Sequence, residues 1–333
     1  MEIVRTGPDD ARFAAWCGVW AAAQRADRPG EAPRPASDHV ALGRRLTTPG
    51  GALRGTHRAA VADGAVVGAL RLLLPVRDNT SVAYVDVAVH PAARRRGVGT
   101  ALLAEAARLA AAAGRSSLVA EVDEPGPGTA GRAFAQAHGW TCGLQETRRD
   151  LLLPVDEDRL AALEAGAAAA SAGYEVLTWR DRTPDRLLED RALLGRRMST
   201  DAPSGDVPVG EEDWDAARVR EQETVVLDRG RTVLSAGAVR DGRLVAFTEL
   251  HVPLAQPERA HQGATLVLRE HRGHRLGARV KTAVLRELAA TLPEVRRIST
   301  YNSDTNRPMV AVNEALGFVR AGGLSTWSTR LPA

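Results

Sequence analysis

The stretch RRRGVGTALL, from Arg94 to Leu103, places three arginines and two glycines where an apolar strand pattern changes into a helical one. The preceding residues, VDVAVHPA, alternate like a half-buried strand, and an Ala- and Leu-rich segment follows. A helix that begins after glycines exposes unpaired backbone N–H groups, and its dipole adds partial positive charge there. Glycine lets a phosphate approach closely, and arginines add charged donors. The stretch therefore predicts an anion site suited to pyrophosphate.

The composition limits the classes of protein to which the chain can belong. It has 333 residues, 44% of them hydrophobic, which is enough for two domains, and a net charge of +3. Acidic and basic residues nearly balance and aromatics are few, so we expect no nucleic-acid partner. No apolar run reaches about 18 residues and the first residues, MEIVRTGPDD, carry no apolar signal core, so we expect no membrane span and a cytoplasmic protein. Cys17 and Cys142 have no ligand-like spacing, which predicts free thiols and no metal site.

The chain repeats itself. The stretch HRGHRLGARV, from His271 to Val280, resembles the first one, and Arg272 lies 178 residues after Arg94. The same offset relates further pairs of short segments: Gly99 with Gly277, Asp63-Gly64 with Asp241-Gly242, His138-Gly139-Trp140 with Leu316-Gly317-Phe318, and Leu153-Pro154 with Leu331-Pro332. Two copies of one domain are the interpretation. We expect an N-terminal domain at 1–155, a connecting helix at 156–173 and a C-terminal domain at 174–333.

Both copies show the same predicted order of elements: a hairpin, a strand, the arginine-glycine loop, a helix, a strand, a helix and a closing strand. The first copy places them at 58–62, 66–74, 83–89, 99–113, 117–122, 130–137 and 147–153. The second copy opens with a strand at 174–179 and places them at 232–239, 244–252, 261–267, 277–291, 297–301, 308–315 and 326–331. The fold class is α+β, with a mixed, mostly antiparallel sheet flanked by helices in each copy.

The arginine-glycine loop resembles a family motif. Arg94-Arg95-Arg96-Gly97-Val98-Gly99 matches [QR]-x-x-G-x-[GA], which the GNAT superfamily of N-acetyltransferases carries after its fourth strand, where it binds the pyrophosphate of acetyl-CoA. The second copy departs from the motif, because Arg275 stands where the first glycine is expected. The family's Asn-x-x-Ala…Gly-Phe pattern is partly kept in Asn306…Gly317-Phe318. The whole chain is similar to tandem members of the family, some of which belong to antibiotic pathways.

The resemblance implies acetyl-CoA, or another acyl-CoA, as cosubstrate, and it implies the residues that bind it. In the family the strand before the loop splays from its neighbour, and its backbone pairs with the pantetheine arm as an added strand would. The implied residues are Val87, Val89, Arg94, Arg95, Arg96, Gly97, Val98, Gly99 and Thr100 in the first copy, and Leu266, Val267, Arg272, Gly273, His274, Arg275, Leu276, Gly277 and Ala278 in the second. A P-loop is excluded, because G-x-x-x-x-G-K-[ST] does not occur.

Acetyl transfer to an amine needs a base, a polarised carbonyl and a proton for the leaving thiolate. The family often uses a tyrosine four residues before the Gly-Phe pair as the acid, but Ala135 and Asn313 stand at those positions here. The second copy is richer in polar candidates. Glu249 and His251 lie two apart on one strand, hence on one face, and we expect Glu249 to be the base. Tyr301 and Asn306 are the other catalytic candidates, whereas the first copy offers Tyr84, Asp86 and Glu121.

Each candidate has an alternative without chemistry. Glu249 and His251 also fit the solvent face of a half-exposed strand, Tyr301 fits strand-end packing, and Asn306 fits a helix cap. We predict an N-acetyltransferase of a small amine metabolite that acts as a monomer. The first copy would hold acetyl-CoA structurally and the second would carry the chemistry. Two rivals stay open: a non-catalytic acyl-CoA-binding protein, and an enzyme whose chemistry lies in the first copy.

Overall fold

The computed structural model describes residues 1–47, 51–126 and 128–332. Up to residue 137 the elements are β1 (Glu2–Thr6), α1 (Phe13–Asp27), α2 (Ala36–Arg45), β2 (Leu53–Ala62), β3 (Ala65–Pro75), β4 (Val82–Val89), α3 (Val98–Ala112), β5 (Ser117–Glu124) and α4 (Ala130–Ala137). Then follow β6 (Thr141–Leu152), α5 (Glu157–Ala170), β7 (Glu175–Arg180), α6 (Leu188–Asp201), α7 (Ala216–Asp228), β8 (Arg231–Arg240), β9 (Arg243–Pro253), β10 (Arg259–Val267), α8 (Leu276–Thr291), β11 (Arg297–Asn302), α9 (Arg307–Leu316) and β12 (Val319–Arg330).

The chain forms two compact units. The N-terminal unit comprises Met1–Gln145, Ser204–Gly210 and the chain from Leu324, and the C-terminal unit comprises Glu146–Pro203 and Glu211–Gly323. The strand order is β1-β2-β3-β4-β5-β12 in the N-terminal unit and β6-β11-β10-β9-β8-β7 in the C-terminal unit. In each unit one parallel pairing, β4 with β5 or β10 with β11, adjoins a run of antiparallel hairpins. The predicted α+β class, with mixed sheets and flanking helices, is confirmed.

The hairpin turns explain why the two copies share a register. Asp63 and Gly64 have φ of 50° and 75°, and Asp241 and Gly242 have φ of 52° and 77°. Two consecutive residues with positive φ suit the right-handed twist of a hairpin, and Asp-Gly is a preferred pair there. The strands beside these turns are longer than the sequence predicts, because the antiparallel ladder of β2 with β3 continues from Ala62 back to Leu53.

The closing strands are placed differently from the sequence prediction. The repeat predicts that each closing strand completes its own copy, but Thr147 to Leu152 of β6 pairs antiparallel with β11 in the C-terminal unit. In the N-terminal unit β5 has the end of β12 as its neighbour, and the N–H of Leu331 donates to the carbonyl of Ser116 at 2.8 Å. An uncovered edge of β5 or of β11 would need a partner strand. The two closing strands occupy equivalent positions in the repeat, so either one can pair with either edge. The domain boundaries at residues 155 and 174, which come from the sequence repeat, stay a prediction.

The core of each unit fixes the start of the helix that follows the arginine-glycine loop. In the N-terminal unit, Leu102 and Ala106 of α3 are fully buried against β3, and a Cβ on Gly68 would lie 2.7 Å from Val98 Cγ1. Val280 and Val284 of α8 are buried in the same way in the C-terminal unit. This close packing holds the first turn of each helix at the end of the preceding strand.

Replacing Trp327 tests where the last strand belongs. Trp327 is 3% exposed and packs in the core of the N-terminal unit, so Trp327→Ala should lower the free energy of unfolding of that unit by about 3–5 kcal/mol. Hydrogen exchange should accelerate in β4 and α3 but not in β9 and α8. Val319→Ala, on the same strand but 61% exposed, is the control and should change stability by less than about 0.5 kcal/mol. Acceleration confined to the C-terminal unit would contradict this strand assignment.

Candidate functional site

The parallel pairing of each unit is short, and one strand continues without its partner. In the N-terminal unit β4 pairs with β5 only from Val82 to Tyr84, although β4 continues to Val89 along β3. In the C-terminal unit β10 pairs with β11 only from Arg259 to His261 and continues to Val267 along β9. The strands therefore separate, as the family resemblance led us to expect. One edge of β4 and one of β10 keep backbone groups that can pair with an extended ligand.

The implied pantetheine-contacting residues lie on these open segments. Val87 and Val89 follow the last residue of β4 that pairs with β5, and Leu266 and Val267 follow the last residue of β10 that pairs with β11. The offset of the repeat relates Val87 to Thr265 rather than to Leu266. β10 also shifts register against β9 between Gln262 and Thr265, which marks a bulge at the point of separation.

The loop of the N-terminal unit presents the start of α3. Gly97 has φ of 80° and directly precedes the helix, a conformation that glycine adopts without strain. Arg95, Arg96, Gly97 and Thr100 are exposed, so the first turn is open to a ligand. A Cβ added to Gly97 would meet nothing within 4 Å, whereas one on Gly99 would lie 3.1 Å from the ring of Phe134. Gly97 therefore serves the loop, and Gly99 serves the contact with α4.

Arg94 and Arg272 hold the two loops in place. Arg94 Nε donates to the carbonyl of Val89 at 3.3 Å, and its guanidinium binds both carboxylate oxygens of Asp27 at 2.7 and 2.8 Å. Arg272 repeats this pattern, with 3.2 Å to the carbonyl of Val267 and 2.7 Å to Asp201. Each aspartate is the last residue of a helix, α1 or α6. The paired guanidinium groups therefore tie each loop to the end of the preceding strand and to a helix end.

The loop of the C-terminal unit keeps this shape despite the lost glycine. Arg275 takes the place of Gly97 and adopts φ of 52° directly before α8, which is strained for a residue with a side chain. Its Nη1 reaches α5, where a Cβ on Gly166 would lie 3.2 Å away. His271 Nδ1 lies 3.0 Å from the hydroxyl of Tyr174, and the ring of His274 lies 5.5 Å from the same tyrosine ring. Gly273, Leu276, Gly277 and Ala278 complete this loop and the first turn of the helix.

Glu249 and His251 share one face of β9, as predicted. His251 Nε2 lies 3.3 Å from Glu249 Oε1, and Arg191 of α6 donates to Glu249 Oε2 at 3.2 Å. The side chains of Glu249 and His251 are 19% and 15% exposed, so this face of β9 is mostly covered. A Cβ on Gly263 of β10 would lie 2.8 Å from both Glu249 Cγ and His251 Nε2. Glycine at the bulge therefore leaves room for this pair.

Arg191 and His251 decide the charge of Glu249. Burial raises the pKa of its carboxyl, but Arg191 and His251 outweigh burial and lower it from 4.5 to about 2. Arg191 is itself held over the ring of Phe247, with Cζ 3.9 Å from the ring centroid. Glu249 is therefore a fixed carboxylate at neutral pH, well suited to orient His251 or to attract a cationic amine, and a weak proton acceptor by itself.

Tyr301 lies near the end of β11, and Asn306 directly precedes α9. The ring of Tyr301 lies 5.8 Å from the ring of His261, which is the last residue of β10 that pairs with β11. Asn306 Oδ1 accepts a hydrogen bond from the N–H of Met309 at 3.4 Å, so Asn306 caps α9. The capping alternative for Asn306 is thus confirmed, and capping leaves its amide N–H groups available for other contacts.

Comparison with known proteins identifies the fold. The model of the acetyltransferase (GNAT) family matches residues 22–140 and again residues 198–318. The chain belongs to the GNAT acetyltransferase family. It is 31% identical over 258 residues to the mycothiol acetyltransferase of Sanguibacter keddieii, covering 74% of this chain and 73% of that protein.

Solved structures give the same result for the tandem GNAT architecture. A tandem GNAT protein from the clavulanic acid biosynthesis pathway is 34% identical, with a TM-score of 0.81 over 100% of this chain and 99% of that chain. A GCN5-related N-acetyltransferase from Sphaerobacter thermophilus shares the fold at 16% identity, with a TM-score of 0.64 over 99% of this chain and 96% of that one.

The two GNAT copies differ at the position of Glu249. The repeat relates Glu249 to Arg71, which is 7% exposed and binds Asp86 Oδ2 through its Nη2 at 2.6 Å. On the neighbouring strand, the ring of His57 lies 5.0 Å from the ring of Trp16 in an edge-to-face contact. Arg71 and Arg191 were missed by the sequence analysis, although applying the offset to Glu249 would have found Arg71.

Three further features concern metal-ligating side chains, helix length and the cysteines. Within residues 1–47, 51–126 and 128–332, no group of three or more His, Cys, Asp or Glu side chains is arranged to hold a metal ion. None of the helices in that part of the chain is long and apolar enough to span a membrane. Cys17 and Cys142 are free thiols, as predicted.

The lowered pKa of Glu249 predicts an acid transition. Its carboxylate stabilises the C-terminal unit above pH 4.5, and that stabilisation is lost as the pH falls toward about 2. The Glu249→Gln variant should therefore be less stable at neutral pH. Its free energy of unfolding, measured with urea at several pH values, should also fall less steeply below pH 4.5 than that of the parent chain. Glu294→Gln, an exposed site in the same unit, is the control. An unchanged acid slope in Glu249→Gln would contradict the pairing with Arg191.

Proposed function

We propose that the chain is an acyl-CoA-dependent N-acetyltransferase of a small amine, with the chemistry in the C-terminal unit. The observation that carries the proposal is the pair Glu249 and His251, held beside the bulge of β10 where that strand leaves β11. A titratable pair next to an open strand edge is what acetyl transfer to an amine requires.

The loops fit the acyl-CoA cosubstrate. The start of α3, with exposed Gly97 and exposed Arg95 and Arg96, suits a pyrophosphate. The start of α8 offers the same backbone geometry, with Arg275 as an added cation that extends toward α5. The open edges of β4 and β10 suit the pantetheine arm. The cosubstrate would supply the acetyl thioester, and the residues of this chain would bind and orient it.

The two units receive different roles because the strand before the open strand differs between them. The N-terminal unit keeps the glycine loop, but its equivalent of Glu249 is Arg71, neutralised by Asp86 and packed near Trp20. At the position of Glu249 this face carries an Arg71–Asp86 ion pair instead of a carboxylate beside a histidine. We therefore assign structural binding of acetyl-CoA to the N-terminal unit and transfer to the C-terminal unit.

In the transfer step, His251 accepts the proton of the attacking amine. Glu249 stays ionised, fixes the orientation of His251 and stabilises the imidazolium that forms. This assignment refines the prediction of Glu249 as the base, because a carboxylate with a pKa of about 2 holds a proton poorly at neutral pH. Backbone N–H groups of β10 near Gly263 are the donors for the thioester carbonyl.

The acceptor class rests on the relatives. One relative is a mycothiol acetyltransferase, which matches 74% of this chain. Another is a tandem GNAT protein from the clavulanic acid pathway, whose structure matches the whole chain. A small amine metabolite of a biosynthetic pathway, acetylated by a cytoplasmic monomer, is the corresponding proposal here. The second candidate, a non-catalytic acyl-CoA-binding protein, is favoured by one observation: neither Ala135 nor Asn313 is the tyrosine that often acts as acid. Release of CoA in the presence of amines separates the two.

Loop variants should separate the two binding sites. Gly97→Glu adds a negative charge and a side chain to a residue at φ of 80°, so it should abolish the CoA retained by the N-terminal unit. Gly277→Glu should abolish only the exchangeable CoA of the C-terminal unit. Native mass spectrometry counts the bound CoA, and Gly97→Gln, equal in shape but uncharged, shows how much of the effect is electrostatic. Loss of all CoA in Gly97→Glu alone would place the only site in the N-terminal unit.

Substitutions on β9 should remove transfer without removing binding. Glu249→Gln and His251→Asn should each lower kcat about 100-fold, and the double variant should lose little more because the two act as a pair. The rate of CoA release measures this, with Glu294→Gln as the unaffected control. Full activity in Glu249→Gln would reject Glu249 and move the search to Tyr301 and Asn306.

A further inference from the structure

The single lysine of the chain lies buried in the C-terminal unit. Lys281, on α8, is 1% exposed, and its Nζ donates to Asn313 Oδ1 at 2.9 Å and to Gln262 Oε1 at 3.2 Å. The ring of Phe318 lies 5.6 Å from the same nitrogen. Asn313 lies on α9, Gln262 lies on β10, and Phe318 lies between α9 and β12. Lys281 therefore joins β10 to the helix that follows β11.

Lys281 fixes the direction of a first chain of hydrogen bonds. An ammonium group only donates, so the side-chain oxygen of Asn313 must face it. The amide nitrogen of Asn313 consequently faces Asn302, and Asn313 Nδ2 donates to Asn302 Oδ1 at 2.7 Å. The Nδ2 of Asn302 then points away from the network. Asn302 is the last residue of β11, beyond the part that pairs with β10.

A second chain runs toward β10 in the same sense. Gln262 accepts from Lys281, so its Nε2 donates to Thr248 Oγ1 at 2.9 Å and to the carbonyl of Glu249 at 2.7 Å. Thr248 is fully buried, and the hydroxyl of Thr265, 2.7 Å away, is its remaining partner, so Thr248 donates to Thr265. The hydrogen of the Thr265 hydroxyl is left to donate elsewhere. Thr265 lies on β10 beyond its pairing with β11.

Both chains therefore end as donors on the two strands that separate. Within the described part of the protein, neither Asn302 Nδ2 nor the hydroxyl hydrogen of Thr265 has a further acceptor. Hydrogen bonds in a chain polarise one another, and Lys281 in its ammonium form strengthens every donor along it. The N-terminal unit has no such network, because the repeat relates Lys281, Asn313 and Thr265 to Leu103, Ala135 and Val87.

We propose that Lys281 is a positioning residue whose two hydrogen-bond chains present Asn302 and Thr265 as donors to the sulfur of the acyl-CoA thioester in the C-terminal unit. The inference rests on the proposed function of that unit. As the amine nitrogen bonds to the acyl carbon, the C–S bond breaks and its electron pair stays on sulfur. The two donors stabilise that charge, the amine proton goes to His251, and the thiolate takes a proton from water.

The charge of Lys281 offers a direct readout of this assignment. Burial lowers the pKa of Lys281 from 10.5 to about 7, and none of the groups that contact its nitrogen, Gln262, Asn313 and the ring of Phe318, is titratable. A nearby thiolate would favour the ammonium form. Binding of CoA as a thiolate should therefore raise the pKa of Lys281, and one lysine Cε resonance in a carbon-13-labelled protein reports it, because the chain holds only one lysine.

The test compares CoA with its S-methyl thioether in the full-length Gly97→Glu chain, so that only the C-terminal unit binds. Calorimetry over a range of pH gives the pKa of the bound thiol. We expect it about one unit below its value in water, a tenfold preference for the thiolate. Lys281→Met, Asn302→Ala and Thr265→Val should each remove most of that preference while the thioether binds as before. Thr282→Val, a buried hydroxyl on α8 that donates to the carbonyl of Arg279, is the matched control and should keep the preference.

The outcomes separate this inference from the proposed function. If Lys281→Met fails to fold, Thr265→Val decides, because it keeps the shape of the side chain and removes only one hydroxyl, which is both the proposed donor and the acceptor of the bond from Thr248. A bound thiol with the same pKa in the parent chain and in Asn302→Ala and Thr265→Val would overturn the inference and leave acyl-CoA binding intact. Absence of both CoA and thioether binding in the Gly97→Glu chain would overturn the proposed function of the C-terminal unit, and this inference with it.

Discussion

The early end of the parallel pairing between β4 and β5, and between β10 and β11, is the constraint on which the rest of each unit depends. A parallel strand that loses its neighbour keeps backbone donors and acceptors that need partners. At the same end of the strand a glycine or an arginine in a left-handed conformation starts a helix, whose first N–H groups also lack partners. An open strand edge and an open helix start, one after the other, suit a ligand with an extended amide-containing arm and a phosphate end.

The two units use one scaffold for different charges. The arginine at the start of each loop makes the same bonds in both, to a strand carbonyl and to an aspartate at the end of a helix. The strand that precedes the open strand, by contrast, carries Arg71 in one unit and Glu249 in the other. Arg71 is paired with Asp86, whereas Glu249 lies between Arg191 and His251. In the proposed function, the similar loops let both copies bind the cosubstrate, and the difference on the neighbouring strand confines the chemistry to one copy.

Much of the fold could be predicted from local patterns, because the hairpin turns at Asp63-Gly64 and Asp241-Gly242 and the helices after the loops depend on residues close in sequence. The placement of the closing strands could not be predicted in this way, since their two sequences are equivalent and the choice depends on packing around residues such as Trp327. The sequence predicts only part of the candidate site. Spacing places Glu249 and His251 on one face, but the ion pair with Arg191 joins residues 58 apart in sequence. The network around Lys281 likewise depends on contacts among five separate elements, for which the sequence gives only one signal, a lone lysine in an arginine-rich chain.

Hydrogen exchange of the full-length protein with and without CoA tests the central claim most directly. If the separated strands bind the cosubstrate, CoA should slow exchange of backbone amides in β4 beyond Tyr84, in β10 beyond His261 and in the first turns of α3 and α8. Amides in β2 and β8, which pair on both sides, should not change. Protection confined to other segments, with no change in β4 and β10, would contradict the account.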